Sequence, residues 1–256
     1  MESLLQQIVQ NTEHKSSFQI TVTGITTNFK TKFNPPIQLD KNRKYEMSLV
    51  NLETYYSFPN IDDTNNYFRY SSDGGTSWFE INIPEGSYDI RDINELIQQE
   101  MRQTGHYDDI NEKHCITISS NMNTLKSVLI LENNYRVDFT HNNSLASVLG
   151  FDNRIYMNKF QESENVVNIL NINSILVNVD IISGSYVNGS VKNTIYSFFP
   201  NVSPGYKIIE TPVNLVYLPI TLDIIHSLGV SLTDQNGKLL NLRGENLTIR
   251  FHIREV

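Results

Sequence analysis

The chain has 256 residues, of which 39% are hydrophobic and 19% are charged, and its formal net charge is −8 at pH 7. This length suffices for one large β domain or two smaller domains, and the acidic balance with scattered basic residues argues against a nucleic-acid-binding protein. The single cysteine, Cys115, excludes an internal disulfide and a cysteine-based metal cluster, and it favours a reducing compartment.

The chain opens with a short amphipathic stretch, in which Leu4, Leu5 and Ile8 lie at helical spacing. This stretch lacks the basic start and long apolar core of a secretion signal, so we expect synthesis without secretion. Nowhere does the sequence reach the roughly 18 apolar residues of a membrane span. Two interpretations of residues 1–15 stay open: a terminus that packs locally, or an N-terminal arm that contacts a neighbouring subunit.

Residues 16–86 have the pattern of β-strands. The stretch "FQITVTG" alternates apolar and polar residues, as a half-buried strand does. Further on, Tyr67–Tyr70 and Trp78–Ile83 flank Asp73-Gly74-Gly75, which predicts a hairpin because this tripeptide favours tight turns. We therefore expect the first part of a sheet-containing domain here.

Residues 87–160 have a different pattern, which predicts a small α/β insertion domain. Asp89 is suited to cap a helix that ends at Gly105, with Ile93, Leu96, Ile97 and Met101 on one face. Three strands should follow, at Cys115–Ser119, Leu125–Leu131 and Tyr135–Phe139. A second, short helix should end at Gly150.

Residues 161–256 return to the β pattern. At the end of the chain, Leu247, Ile249, Phe251 and Ile253 alternate with polar residues, which predicts a strand with one buried face. The turn residues Asp234–Gly237 precede it, so we expect the chain to close on a β-hairpin.

The motifs of common enzymes are absent from the sequence. It has no G-x-S-x-G nucleophile elbow, no phosphate-binding P-loop and no dinucleotide-binding glycine fingerprint. The six histidines lack metal-type spacing, and the adjacent His114 and Cys115 should point to opposite faces of a strand. We therefore predict a protein that is not an enzyme, with no catalytic residues, no cofactor and no metal site.

Aromatic residues are instead concentrated among prolines and glycines between Gly184 and Pro219. Such loops usually lie on the surface, where aromatic side chains expose apolar area unless something covers them. Either these loops fold back over one end of the sheets, or they form a subunit interface, where Tyr and Phe are enriched. The predicted interface residues are Leu4, Leu5, Ile8, Tyr186, Tyr196, Phe198, Phe199, Pro204 and Tyr206.

Six stretches in register resemble one family of viral proteins. They are "YEMSLVNLETYYSFPNI", "IPEGSYDIRDINELIQ", "SLASVLGFD", "NINSILVNVDIISGSYVNG", "TIYSFFPNVSPGYKIIETPVNLVYLPI" and "LTDQNGKLLNLRGENLTIRFHIRE". The similarity as a whole runs from about Ser17 to Glu255. They resemble the minor capsid, or penton, protein of the Polinton (Maverick) and adintovirus-like elements, which are related to virophages and adenoviruses.

The resemblance implies a single jelly-roll β-sandwich made of two antiparallel sheets, formed by residues 16–86 and 161–256. It also implies homopentamers at the five-fold vertices of a virion, surrounded by trimers of a double jelly-roll major capsid protein. The insertion at 87–160 would project outward, where it could contact a host receptor. A specific nucleic acid is not an expected partner, and no membrane span is expected. Two alternatives stay open: a receptor- or glycan-binding viral spike with the same β-sandwich, and a cellular adaptor.

Overall fold

The computed structural model describes residues 16–169 and 172–256, and these residues form a mainly β structure. The helices are α1 (Ile90–Gln103) and α2 (Ala146–Leu149). The strands, in chain order, are β1 (Ser17–Gly24), β2 (Asn28–Gln38), β3 (Tyr45–Tyr55), β4 (Tyr67–Ser71), β5 (Phe79–Asn82), β6 (Tyr107–Asp108), β7 (Lys113–His114), β8 (Ile116–Asn121), β9 (Lys126–Leu131), β10 (Arg136–Asp138), β11 (Ile155–Tyr156), β12 (Phe160–Glu162), β13 (Ile175–Val179), β14 (Ser185–Val187), β15 (Ser190–Lys192), β16 (Thr194–Phe198), β17 (Lys207–Glu210), β18 (Leu218–Pro219), β19 (Ile224–Thr233) and β20 (Leu247–Glu255).

The chain divides into two compact units. The described residues up to Ser57 and from Ile172 onward form the first unit, and those between them form the second. This division differs from the boundaries expected at 86/87 and 160/161, because the β4–β5 hairpin belongs to the second unit. The reason is packing: Phe68 of β4 is fully buried in the core of the second unit, with its ring centroid 6.1 Å from that of Phe139.

The first unit contains two antiparallel sheets that combine strands from both ends of the chain. Sheet A has the order β1-β20-β3-β17, and β18 pairs with a different part of β3. Sheet B has the order β16-β13-β19-β2. Numbered one to eight along the chain, the strands on these two paths follow the orders 1-8-3-6 and 5-4-7-2. This arrangement agrees with the predicted jelly roll, which packs eight strands as two sheets.

The last strand, β20, confirms the predicted alternation of buried and exposed residues. Leu247, Ile249, Phe251 and Ile253 are buried, and β20 lies between β1 and β3 in sheet A. The expected closing hairpin was wrong, because β19 belongs to sheet B. The turn after β19 does form, with the Asp234 N–H donating to the Lys238 carbonyl at 2.8 Å. The following residues then carry the chain across to the other sheet.

The second unit contains both helices. Asp89 caps α1 in a reciprocal capping box with Asp92, and Ile93, Ile97 and Met101 are buried on one face, as predicted. Gly105 follows α1 and Gly150 follows α2, both with left-handed backbones. Strands β8, β9 and β12 form one sheet, whereas β10 pairs with β4 and β11 in another. Cys115 is buried.

Candidate subunit interface

The predicted interface residues fall into three groups. Leu4, Leu5 and Ile8 lie outside the residues that the structure describes. Tyr196 and Phe198 lie on β16 and pack within the first unit. Tyr186, Phe199, Pro204 and Tyr206 are exposed. The structure therefore leaves only the last group, among the described residues, with substantial area for contact with another molecule.

Tyr196 and Phe198 are held by their own unit. Only 8% of Phe198 is exposed, so a neighbour could cover little more of it. The Tyr196 hydroxyl donates a hydrogen bond of 2.7 Å to Oε1 of Glu210. Burial, followed by the nearby Glu210 carboxylate, raises the pKa of Tyr196 to about 12. For these two residues, the alternative in which the loops fold back onto the sheets describes the structure better than the interface does.

Phe199 and Tyr206 expose 47% and 68% of their surface. Tyr206 directly precedes β17 at the edge of sheet A. Its carbonyl accepts a hydrogen bond from the Tyr56 N–H at 2.9 Å, and the Gly205 N–H donates to the Tyr56 carbonyl at 2.8 Å. The backbone that carries the Tyr206 side chain is therefore fixed, although the side chain itself faces solvent.

Sequence reasoning missed other exposed apolar residues at the same edge. Ile209 of β17 is 62% exposed, and Tyr55 of β3 is exposed beside it. Ile209 pairs with Glu53, and Tyr55 with Lys207, so Ile209 and Tyr55 are diagonal neighbours on one face of the sheet. Val213 and Val216 follow β17 and are also exposed. We call Tyr55, Tyr206 and Ile209 the β17 surface.

An ion pair crosses this edge. Lys207 Nζ lies 2.5 Å from Glu53 Oε2. The hydrogen bond from Lys207 lowers the pKa of Glu53, and the hydrogen bond to Glu53 raises the pKa of Lys207. Both groups therefore stay charged across the physiological range. The β17 surface thus combines apolar area with a fixed polar pair, as interfaces commonly do.

The described residues contain no group of three His, Cys, Asp or Glu side chains that could hold a metal ion. Neither described helix is long and apolar enough to cross a membrane.

The two antiparallel sheets of the first unit place the protein in the mainly β class, and a solved structure shares its fold. The crystal structure of the mavirus penton protein superimposes with a TM-score of 0.52, covering 94% of this chain and 100% of that chain at 10% sequence identity. The expected likeness to the fold of virophage-related penton proteins is therefore confirmed.

Two other solved structures are less similar to this chain. Two structures of the flagellar cap protein FliD from Escherichia coli cover 86% and 85% of this chain and 100% and 55% of their own, both at 13% identity. Their TM-scores of 0.19 and 0.18 are too low to indicate a common fold. No protein-family model matches the sequence. No curated protein matches it either.

Proposed function

We propose that the protein is a minor capsid, or penton, subunit that occupies the five-fold vertices of an icosahedral virion. The observation that carries this proposal is the fold shared with the mavirus penton protein over nearly the whole of both chains. The six sequence stretches that resemble Polinton and virophage pentons support the same conclusion. In this role the protein acts mechanically, and the proposal assigns it no catalytic residue.

Five copies form the vertex by a head-to-tail contact. In a ring, one surface of each copy meets a different surface of the next copy, and the contact repeats until rotation closes it. The β17 surface supports a role as one of these two surfaces, because exposed aromatic and aliphatic residues on a fixed sheet edge bury apolar area without a large ordering cost. Trimers of a double jelly-roll major capsid protein surround the ring. The second unit is the part of the chain to which we assign contact with a host receptor.

Particle mass tests the proposal. Native mass spectrometry and negative-stain microscopy of the purified protein, alone and mixed with the major capsid protein, should reveal five-membered rings. A trimer would favour the receptor-binding spike instead. Monomers in both samples would contradict the proposal.

Replacement of Ile209 tests the assigned surface. Ile209 and Ile25 are each 62% exposed, so Ile209→Asn and Ile25→Asn remove the same type of exposed side chain at two different places. Complete burial of such a side chain is worth roughly 1.5–3 kcal/mol. Ile209→Asn should therefore weaken each subunit contact about tenfold, whereas Ile25→Asn should leave ring formation unchanged. Equal effects of both variants would show that the β17 surface is not part of the subunit contact.

A further inference from the structure

A polar groove crosses sheet B on the side opposite to the buried residues of β13. Its volume is about 680 Å³, and it lies between the β14–β15 hairpin and the turn that follows β19. A second depression of about 320 Å³ shares Asn178 and Asn193 with it. Both volumes are within the roughly 300–1,000 Å³ of small-ligand sites. We call this feature the amide groove, after the residues Asn178, Asn188, Asn193, Thr194, Thr233 and Asn236 that line it.

The floor of the amide groove is ordered by side-chain hydrogen bonds. The Thr194 hydroxyl donates to Oδ1 of Asn178 at 2.7 Å, and Nδ2 of Asn178 donates to the Thr233 hydroxyl at 3.3 Å. These three residues lie on three neighbouring strands, β16, β13 and β19. These hydrogen bonds fix the orientation of the Asn178 amide before any ligand arrives. Little conformational entropy of this side chain is therefore lost on binding.

The rim of the groove carries amides with unused hydrogen-bonding capacity. The side chains of Asn188, Asn193 and Asn236 make no hydrogen bond to any described residue. Each amide offers two donor hydrogens and an acceptor oxygen. Val187 of the hairpin provides apolar area next to these amides, on the same face of the hairpin as its pairing partner Ser190. The groove thus combines donors, acceptors and a small apolar wall.

Its charge argues against a strongly charged ligand. In the adjoining depression, Lys30 faces Asp180 at 3.4 Å, so this pair offers little net charge. Lys192 is the remaining charged residue among those that line the groove. A phosphate-rich or sulfate-rich ligand needs clustered basic side chains, and one lysine is a poor match.

The backbone of the floor argues against an extended peptide. A peptide strand binds by adding to a free strand edge. In the floor of the groove, β13 is paired with both β16 and β19, and β19 is also paired with β2. The central floor therefore presents side-chain amides and hydroxyls rather than unpaired backbone groups.

We propose that the amide groove binds a neutral oligosaccharide. Ring hydroxyls of a sugar both donate and accept hydrogen bonds, as the rim amides do. The C–H face of the sugar ring would pack against Val187. The site is separate from the β17 surface, so this proposal does not depend on the penton role.

Saturation-transfer NMR on the protein tests the oligosaccharide proposal, with maltotriose, chitotriose and N-acetyllactosamine as neutral probes. At least one probe should receive saturation. The double variant Asn193→Ala/Asn236→Ala should bind it about tenfold more weakly, because two hydrogen-bonding partners are lost. Asn201→Ala is the matched control, since Asn201 is exposed but does not line the groove.

Val187→Trp provides a second test that removes no polar group. Val187 is half-buried, lies outside the core and shares its hairpin face with the groove-lining Ser190, so the larger ring should fill the groove and the probe signal should be lost. The proposal is overturned if none of the three neutral probes binds at millimolar concentration. It is equally overturned if sialyllactose or a synthetic peptide of residues 1–15 binds in their place, or if the groove variants bind like the parent protein.

Discussion

Replacing Gly150 by alanine should destabilise the second unit much more than the same change at Gly105. Both glycines follow a helix and both have positive φ, +80° and +78°. Forcing an L-residue into this left-handed region costs roughly 1–2 kcal/mol at either site. A Cβ on Gly105 would meet no atom within 4 Å, so that cost should be the whole effect.

At Gly150 a Cβ would collide with the protein backbone. It would overlap the carbonyl oxygen of Asn165 and lie 2.9 Å from that of Val166. This segment cannot retreat freely, because the Asn165 N–H donates to the Gly150 carbonyl at 2.9 Å. Overpacking of this type adds about 1–3 kcal/mol. The total free energy of unfolding should therefore fall by roughly 2–5 kcal/mol in Gly150→Ala, against roughly 1–2 kcal/mol in Gly105→Ala.

Urea unfolding followed by circular dichroism gives the free energy of unfolding of each variant. Because the chain has two units, hydrogen exchange of the α2 amides assigns the loss to the second unit. Equal losses in the two variants would refute the reasoning, since they would show that contact with the Asn165 carbonyl adds nothing to the left-handed strain.

Two further predictions concern the first unit. The pKa of Tyr196 is raised to about 12, so stability linked to its neutral phenol should be complete below about pH 10 and lost as the pH rises towards 12. Tyr196→Phe should show a weaker loss of unfolding free energy between about pH 10 and 12, and an unchanged pH slope would contradict this. Glu255 is 8% exposed and accepts hydrogen bonds from Arg43 Nη1 at 2.6 Å and from the Ser16 N–H at 3.1 Å. Glu255→Gln should lower the free energy of unfolding, measured in urea, by about 1–3 kcal/mol. An unchanged value would show that this carboxylate does not stabilise the unit.

Local elements were predictable because their signals are local. The alternation from Leu247 to Ile253 identifies a strand with one buried face, and Asp89 with Asp92 identifies the start of α1. Each of these patterns reports the face or the end of one element. None of them reports which strand lies next to it.

Sheet membership depends on distant residues, and here the predictions were incomplete. The turn at Asp234–Gly237 forms, yet the strands around it belong to different sheets. The β4–β5 hairpin was also correct as a hairpin, but Phe68 and Tyr70 pack in the core of the second unit. A turn fixes how the chain reverses over a few residues. The partner of the outgoing strand is decided by which apolar face it can cover.

The interface residues show the same limit at the level of single side chains. Phe198 and Phe199 are adjacent, and a strand must place them on opposite faces, but the sequence does not say which face is inside. The structure buries Phe198 and leaves Phe199 47% exposed. Ile209 was overlooked because isoleucine in a β segment is usually taken as core, whereas at the edge of sheet A it faces solvent.

A head-to-tail ring requires two different surfaces on each copy, and the β17 surface on sheet A supplies one candidate. The amide groove lies on sheet B. The assay of ring formation can therefore be applied to a variant of each surface and the two results compared. If Ile209→Asn prevents ring formation and Val187→Trp does not, the groove is free in the ring and accessible to a saccharide. If Val187→Trp also prevents ring formation, the groove is where a neighbouring copy docks. The saccharide proposal then fails, while the penton proposal gains its second surface.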